Sequence, residues 1–268
     1  MLALLDLIVA DRNRTIKNLI KILLFLLILL FPFGIIFSLR GLIASEYGWI
    51  FTAYCILLAS ISFLHLISIT DKIPSNFFTL AVFILSVVAE TYNIRSGTPF
   101  GERLFYDSMR PFLFDTAPLF MPFFWITVSI NSFLICRFIY LKPKNNYIVP
   151  MCSALIIVSY DILLEPFGSF INKYWIWNNN FVPLINFVSW FLVGFMFTYM
   201  LQRTLKFIPT NIENRRMTVP IIIFTILAVQ FAVVDYANGF RLYTTVALLL
   251  IITVCRTLRR YVVFKKIG

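Results

Sequence analysis

Charge is scarce in this chain. Asp, Glu, Lys and Arg make up 13% of its 268 residues, against 60% apolar. A water-soluble chain of that size could not cover its surface with so few polar groups, so a soluble fold is excluded. The formal charge of +11 does not revive a nucleic-acid reading, because the basic residues stand at the ends of apolar runs, where they hold orientation. Histidine occurs once, as His65 in an apolar run, which argues against a histidine metal site and for a packed, hydrogen-bonded core residue. The four cysteines, Cys55, Cys136, Cys152 and Cys255, form no CxxC pair. They read as small core residues, with neither a disulfide framework nor a metal site. No lysine stands in the middle of a span, which argues against a retinal Schiff base. No DDxxD, HExxH, GxSxG or Walker loop is present, which argues against diphosphate, zinc-peptidase, serine-hydrolase and nucleotide chemistry.

What the chain has in abundance is long apolar runs. A spanning helix needs about 20 apolar residues. Runs of that kind predict eight spans, near 19–37, 50–69, 76–92, 118–141, 148–165, 183–205, 219–236 and 240–258. The expected fold is an all-α, polytopic membrane protein forming a single integral membrane domain over 1–268. Residues 1–17 read as an interfacial helix. The first run is too long for a signal-peptide core, and no A-x-A site follows it. Lys and Arg cluster at alternate ends, from Arg12, Arg14 and Lys17 through Lys72, Arg137 and Arg203 to Lys265 and Lys266. The opposite ends hold only Arg40, Arg95, Arg103, Arg110, Lys173 and Arg241. The expected orientation therefore has both termini inside. The acids gather at the other face: Glu46, Glu90, Glu102, Asp107, Asp115, Asp161, Glu165 and Asp235 all fall in the outer half.

An internal echo runs through the middle. Pro99-Phe100-Gly101 recurs as Pro166-Phe167-Gly168, and Pro118-Leu119 with Trp125 recurs as Pro183-Leu184 with Trp190 at the same Pro-Leu-x5-Trp spacing. A third Pro-Phe-Gly, at 32–34, is expected to end the first span. The pattern suggests helical hairpins in parallel repeat.

The residues with chemistry to offer are Glu90, expected at the end of the third span, and Asp161 and Glu165, at the end of the fifth. Asp161 and Glu165 are four apart and share a helix face. For Glu102, Asp107 and Asp115 the plainer reading is loop-fixing salt bridges to Arg95, Arg103 and Arg110. The helical acids point to proton transfer, since ionisable groups in spans are costly and mark functional sites. A carboxylic acid set among apolar groups keeps its proton more readily than one in water, and can serve as a general acid while a neighbouring carboxylate takes a proton from water. Tyr174, Trp175, Trp177, Trp190 and Trp125 stand near the same end. Each alone reads as an interfacial belt, but their π faces can also stabilise a carbocation. Asn186, at the start of the sixth span, needs a polar partner.

At these residues the chain resembles the carotenoid biosynthesis membrane family that includes the CruF-type carotenoid 1,2-hydratases, or bisanhydrobacterioruberin hydratases. Three blocks carry the resemblance. They are Glu90-x6-Gly97-x-Pro99-Phe100-Gly101 with Pro118-Leu119 to Trp125; Asp161-x3-Glu165-Pro166; and Tyr174-Trp175-x-Trp177 with Pro183-Leu184-x-Asn186-Phe187-x2-Trp190. Three departures stand out. The family's Tyr-x-Tyr after Pro-Phe-Gly leaves only Tyr106 as a counterpart, Glu165 replaces the usual Asp, and Ser189 replaces Gly. The resemblance implies addition of water across the terminal C1=C2 bond of an acyclic carotenoid, without metal or redox cofactor. It implies a substrate drawn from the bilayer, contact with membrane lipids and other pathway enzymes, and no nucleic acid. The expected place is the plasma membrane, and the Lys and Arg asymmetry puts the expected active site toward the extracytoplasmic side. Asp161 or Glu165 is expected as general acid, Glu90 as the carboxylate that handles water, and Asn186 as the group that positions it. Tyr174, Trp175, Trp177, Trp190, Trp125, Tyr106 and Arg95 are expected around the substrate. Two other readings use the same features: an end-group cyclase, in which an internal double bond captures the cation, and a non-enzymatic transporter or carotenoid-binding scaffold.

Overall fold

The computed structural model describes residues 14–41, 47–139, 146–205, 217–246 and 249. Among them, seven helices are long and apolar enough to cross a membrane. These are α1 (Arg14–Leu39), α2 (Gly48–Ile69), α3 (Lys72–Ser96), α4 (Phe120–Ile139), α5 (Ile148–Glu165), α6 (Leu184–Thr204) and α7 (Thr218–Ala237). The chain is an all-α, multi-pass membrane protein. Of the interfacial helix expected over 1–17, residues 1–13 lie outside the described residues. The eighth expected span, 240–258, lies largely outside them too, with 241–246 helical.

Several boundaries differ from the apolar runs, each for a local reason. α1 passes straight through Pro32-Phe33-Gly34 to Leu39. That third Pro-Phe-Gly does not end the span; its glycine lets α7 approach, with Gln230 Nε2 2.9 Å from where a Cβ at Gly34 would stand. In an apolar solvent, a proline inside a helix is tolerated when neighbouring segments compensate. α3 runs on to Ser96 and is closed by Gly97 at φ 71°, whose N–H donates to Asn93 O at 2.7 Å. Glu90 therefore lies inside α3 rather than at its end. α5 does not break at Pro166 either. It widens into a π-helical turn over Pro166–Ile171, with Asn172 N–H bonded to Phe167 O at 3.0 Å. The two central Pro-Phe-Gly copies thus differ in form, one in a loop and one helical.

α4 is the axis of the bundle, with 89% of its span buried. Its polar residues face other helices: Asn131 Nδ2 donates to Ser62 Oγ on α2 and to Thr127 O, both at 2.7 Å. α5 and α6 pack along Gly194, where a Cβ would stand 3.1 Å from Ile157, so small residues bring the backbones close. Ile73, Phe77, Leu80, Ile84 and Val88 of α3 are exposed at helical spacing, a face fit for lipid.

At one end of the bundle the loops fold into two small antiparallel ladders. β1 (Arg103–Phe105) pairs with β4 (Trp175–Trp177), and β2 (Phe112–Leu113) pairs with β3 (Ala117–Pro118). The β1–β4 ladder joins the two loops that the repeat aligned.

Candidate active site

Asp161 and Glu165 lie on one face of the last turn of α5, each 1% exposed. Asn186, in the first turn of α6, bridges them. Its Nδ2 donates to Asp161 Oδ2 at 2.7 Å and to Glu165 Oε1 at 3.2 Å. Glu165 Oε2 accepts two indole N–H groups, from Trp177 at 2.8 Å and from Trp175 at 3.2 Å. Indole nitrogens and the amide NH2 only donate, so they hold Glu165 as an acceptor on both oxygens. Asp161 Oδ1 is buried with no hydrogen-bond partner among the described residues.

The ladder explains why the indoles arrive together. Strand side chains alternate between faces, so Trp175 and Trp177 turn inward while Ile176 turns out. Trp175 also requires Gly168, where any Cβ would overlap its ring. On β1, Arg103 turns inward beside Trp177. Its Nη2 donates to both Glu90 oxygens at 2.8 Å, and both side chains are 1% exposed. The guanidinium sits 5.3 Å from the ring centres of Phe100, Phe105 and Trp177, a three-sided aromatic cage. Asn93 fixes the loop by donating to Gly101 O at 3.0 Å and accepting from Phe100 N–H at 2.7 Å.

Three elements, α3, α5 and β1, thus bring three carboxyl groups and one arginine into a single buried cluster. Glu90, Asp161, Glu165 and Asn186 meet there as the sequence suggested. Arg103 joins them, though the sequence suggested for it only a loop salt bridge. The available signal was the period-two pattern Arg103-x-Phe105 opposite Trp175-x-Trp177, charged and aromatic residues facing one way.

The other expected residues divide. Trp125 and Trp190 stack on each other at 4.3 Å and 24°, so the echoed tryptophans of the two Pro-Leu-x5-Trp copies meet in space. Trp190 Nε1 is buried without a partner among the described residues. Ser189, standing where a glycine was expected, donates to Pro99 O at 2.6 Å and ties α6 to the first loop. Tyr174 turns away from the acids and stacks on Phe51 at 5.0 Å, with Phe167 at 6.0 Å. Burial pushes its phenol above the ordinary tyrosine value, so it stays a neutral hydroxyl. Tyr106 contributes a backbone N–H to Tyr174 O at 3.0 Å, while its side chain is exposed. Arg95 is exposed at the rim of a surface cleft, apart from the carboxyl cluster. Of the loop acids, Asp107 pairs with Arg110 at 3.2 Å, and Glu102 accepts from Asn178 at 2.6 Å instead of from an arginine.

Two openings are lined by residues of the cluster or by their chain neighbours. A polar vestibule of about 500 Å³ lies over the β1–β4 ladder, with Arg103 and Trp177 in its lining. An apolar groove of about 260 Å³ runs between α1, α2 and α7, and Phe51, Phe167 and Tyr174 are among its walls.

The profile of a family described as carotenoid biosynthesis protein matches residues 50–254. The chain belongs to the carotenoid biosynthesis protein family. No curated protein and no solved structure matches it. The region shared with this carotenoid biosynthesis family holds every residue of the cluster, while α1 precedes it. The chain's role is therefore in carotenoid biosynthesis.

Proposed function

We propose that the protein is a carotenoid hydratase that adds water to the terminal C1=C2 bond of an acyclic carotenoid by acid catalysis. The observation that carries this is the unequal bonding of the two carboxyl groups of α5. Both Glu165 oxygens are occupied by N–H donors, which fit a fixed anion, whereas Asp161 keeps one oxygen free. Asp161 is then the proton donor. It protonates C2, leaving a tertiary cation at C1. Glu165, fixed by the indole N–H groups of Trp175 and Trp177, stabilises the cation by its charge. Water bonds to C1, and its proton returns to Asp161, so the enzyme ends as it began and nothing is oxidised or reduced. Asn186 holds both carboxyl groups in place. The Glu90–Arg103 pair limits the local charge to one net negative when Glu165 is ionised and Asp161 is protonated.

The apolar groove suits the substrate. It is lined by Leu30, Phe33, Tyr54 and neighbouring rings, and its inner wall of Phe167 and Tyr174 adjoins the turn that carries Glu165. An isoprenoid end group can enter it from the bilayer while the rest of the chain stays in lipid. We place the enzyme in the plasma membrane with the carboxyl cluster toward the extracytoplasmic face, following the charge asymmetry of its helix ends.

The test is expression in a lycopene-producing host, with mass analysis of the pigments. Hydration adds the mass of one water per reacted end. An unchanged mass with a cyclised end group supports cyclase chemistry instead, and wholly unchanged pigments support a binding or transport role. Asp161→Asn, Glu165→Gln and Glu90→Gln are compared with the parent; full hydration by all three variants contradicts the assignment.

A further inference from the structure

The vestibule has a feature that the carboxyl cluster alone does not explain. Its floor is one side chain thick. Arg103 and Trp177 line it, and the same two residues bond directly to Glu90 and Glu165. They lie face to face at 5.3 Å. Arg103 Nε is buried with no hydrogen-bond partner among the described residues, although an arginine N–H without a partner is costly. The walls are polar: Asn93, Arg95, Glu102 and Asn178 contribute. The charges of Arg95 and Glu102 oppose each other, which suits a small neutral polar occupant better than an ion. The groove beside the turn that follows Glu165 is, by contrast, apolar. The proposed site thus has one polar opening, lined by Arg103 and Trp177, and one apolar opening nearby.

From this geometry we infer that the vestibule delivers the nucleophilic water, and that Arg103 and Trp177 form the gate through which it reaches the cation. The inference rests on the hydratase reading and adds a separate route for the second substrate. Arg103 Nε is closed off from the vestibule itself, and a water that enters the gate satisfies it. When the carotenoid end group is protonated at C2, water passes the gate, its oxygen bonds to C1, and its proton goes to the Asp161 carboxylate. If water cannot pass, the cation has another exit. It loses a proton from C2 or an adjacent methyl group to the same carboxylate and returns to an alkene. In deuterated water, that return leaves deuterium in the recovered carotene. Hydration and exchange therefore separate water delivery from proton donation.

Leu104 and Ile176 face each other on the outer side of the ladder and line the vestibule, away from the carboxyl groups. Leu104→Trp and Ile176→Trp narrow it without touching the cluster. Membranes carrying the full-length chain are incubated with lycopene in deuterated buffer, and rates are normalised to the amount of protein. The parent is expected to give hydrate labelled at C2 and little label in recovered lycopene. In each variant hydrate formation is expected to fall roughly tenfold or more while label in recovered lycopene rises, and the retained exchange itself shows an intact acid site. Hydration at the parent rate in both variants overturns the route. Loss of hydration and exchange in equal proportion in both also overturns it, since the change then acts on the acid. A parent that yields neither hydrate nor label overturns the hydratase reading itself, and the water route with it.

Discussion

Trp177 donates its indole N–H to Glu165 at 2.8 Å and offers its ring face to Arg103 at 5.3 Å. A single side chain therefore touches the anion on one side and the cation on the other. Trp177→Phe keeps the ring and removes the N–H. A hydrogen bond to a charged group contributes about 1.5–3 kcal/mol, so hydration is expected to drop roughly ten- to a hundredfold with the pigment still bound. Equal activity in the Phe variant sets that bond aside. Asp161→Asn removes the transferable proton and is expected to lower hydration by about 10²-fold or more. The acids were legible in the sequence because a carboxyl group in an apolar helix has few structural uses. Their unequal hydrogen bonding was not, because it depends on Asn186 and two indoles reaching from other parts of the chain. Arg103 was hidden for a related reason: in sequence it is one of several loop arginines, and only its partners set it apart from the exposed Arg95.

At the scale of elements, the ladder between β1 and β4 assembles the site. Its strands have three residues each, too short for any periodicity to announce them. The long helices were legible since a bilayer demands unbroken apolar runs of fixed length. Their ends were less so: α3 extends past Glu90 to the Gly97 cap, and α5 continues through Pro166 as a π turn. The Arg103–Glu90 pair is the main polar tie between the ladder and α3. Removing one member leaves a buried charge, so Arg103→Met is expected to destabilise by about 3–5 kcal/mol. The double variant Arg103→Met with Glu90→Gln is expected to recover part of that loss, read as the midpoint of thermal unfolding in detergent. A double variant less stable than Arg103→Met contradicts the pairing. Gly168→Val is expected to displace Trp175 and to lower hydration along with stability, because its side chain would occupy the position of that ring.

For the whole molecule, orientation decides what each face can receive. With the carboxyl cluster outside, Leu104→Cys in the ladder is expected to react with a membrane-impermeant thiol reagent on intact cells. Gln202→Cys, at the far end of α6, is expected to react only after permeabilisation. The reverse pattern would invert the topology. On the proposed hydratase reading the two substrates have different entrances, hydrocarbon from the bilayer and water from the aqueous face. If Asp161 protonates an acyclic carotenoid so that water can add, the mass of the pigments in a lycopene-producing host distinguishes the parent chain from Asp161→Asn. The expected result is lycopene gaining one water per reacted end with the parent and remaining unchanged with the variant. Hydrated pigment in equal amount from both, or none from the parent, contradicts it.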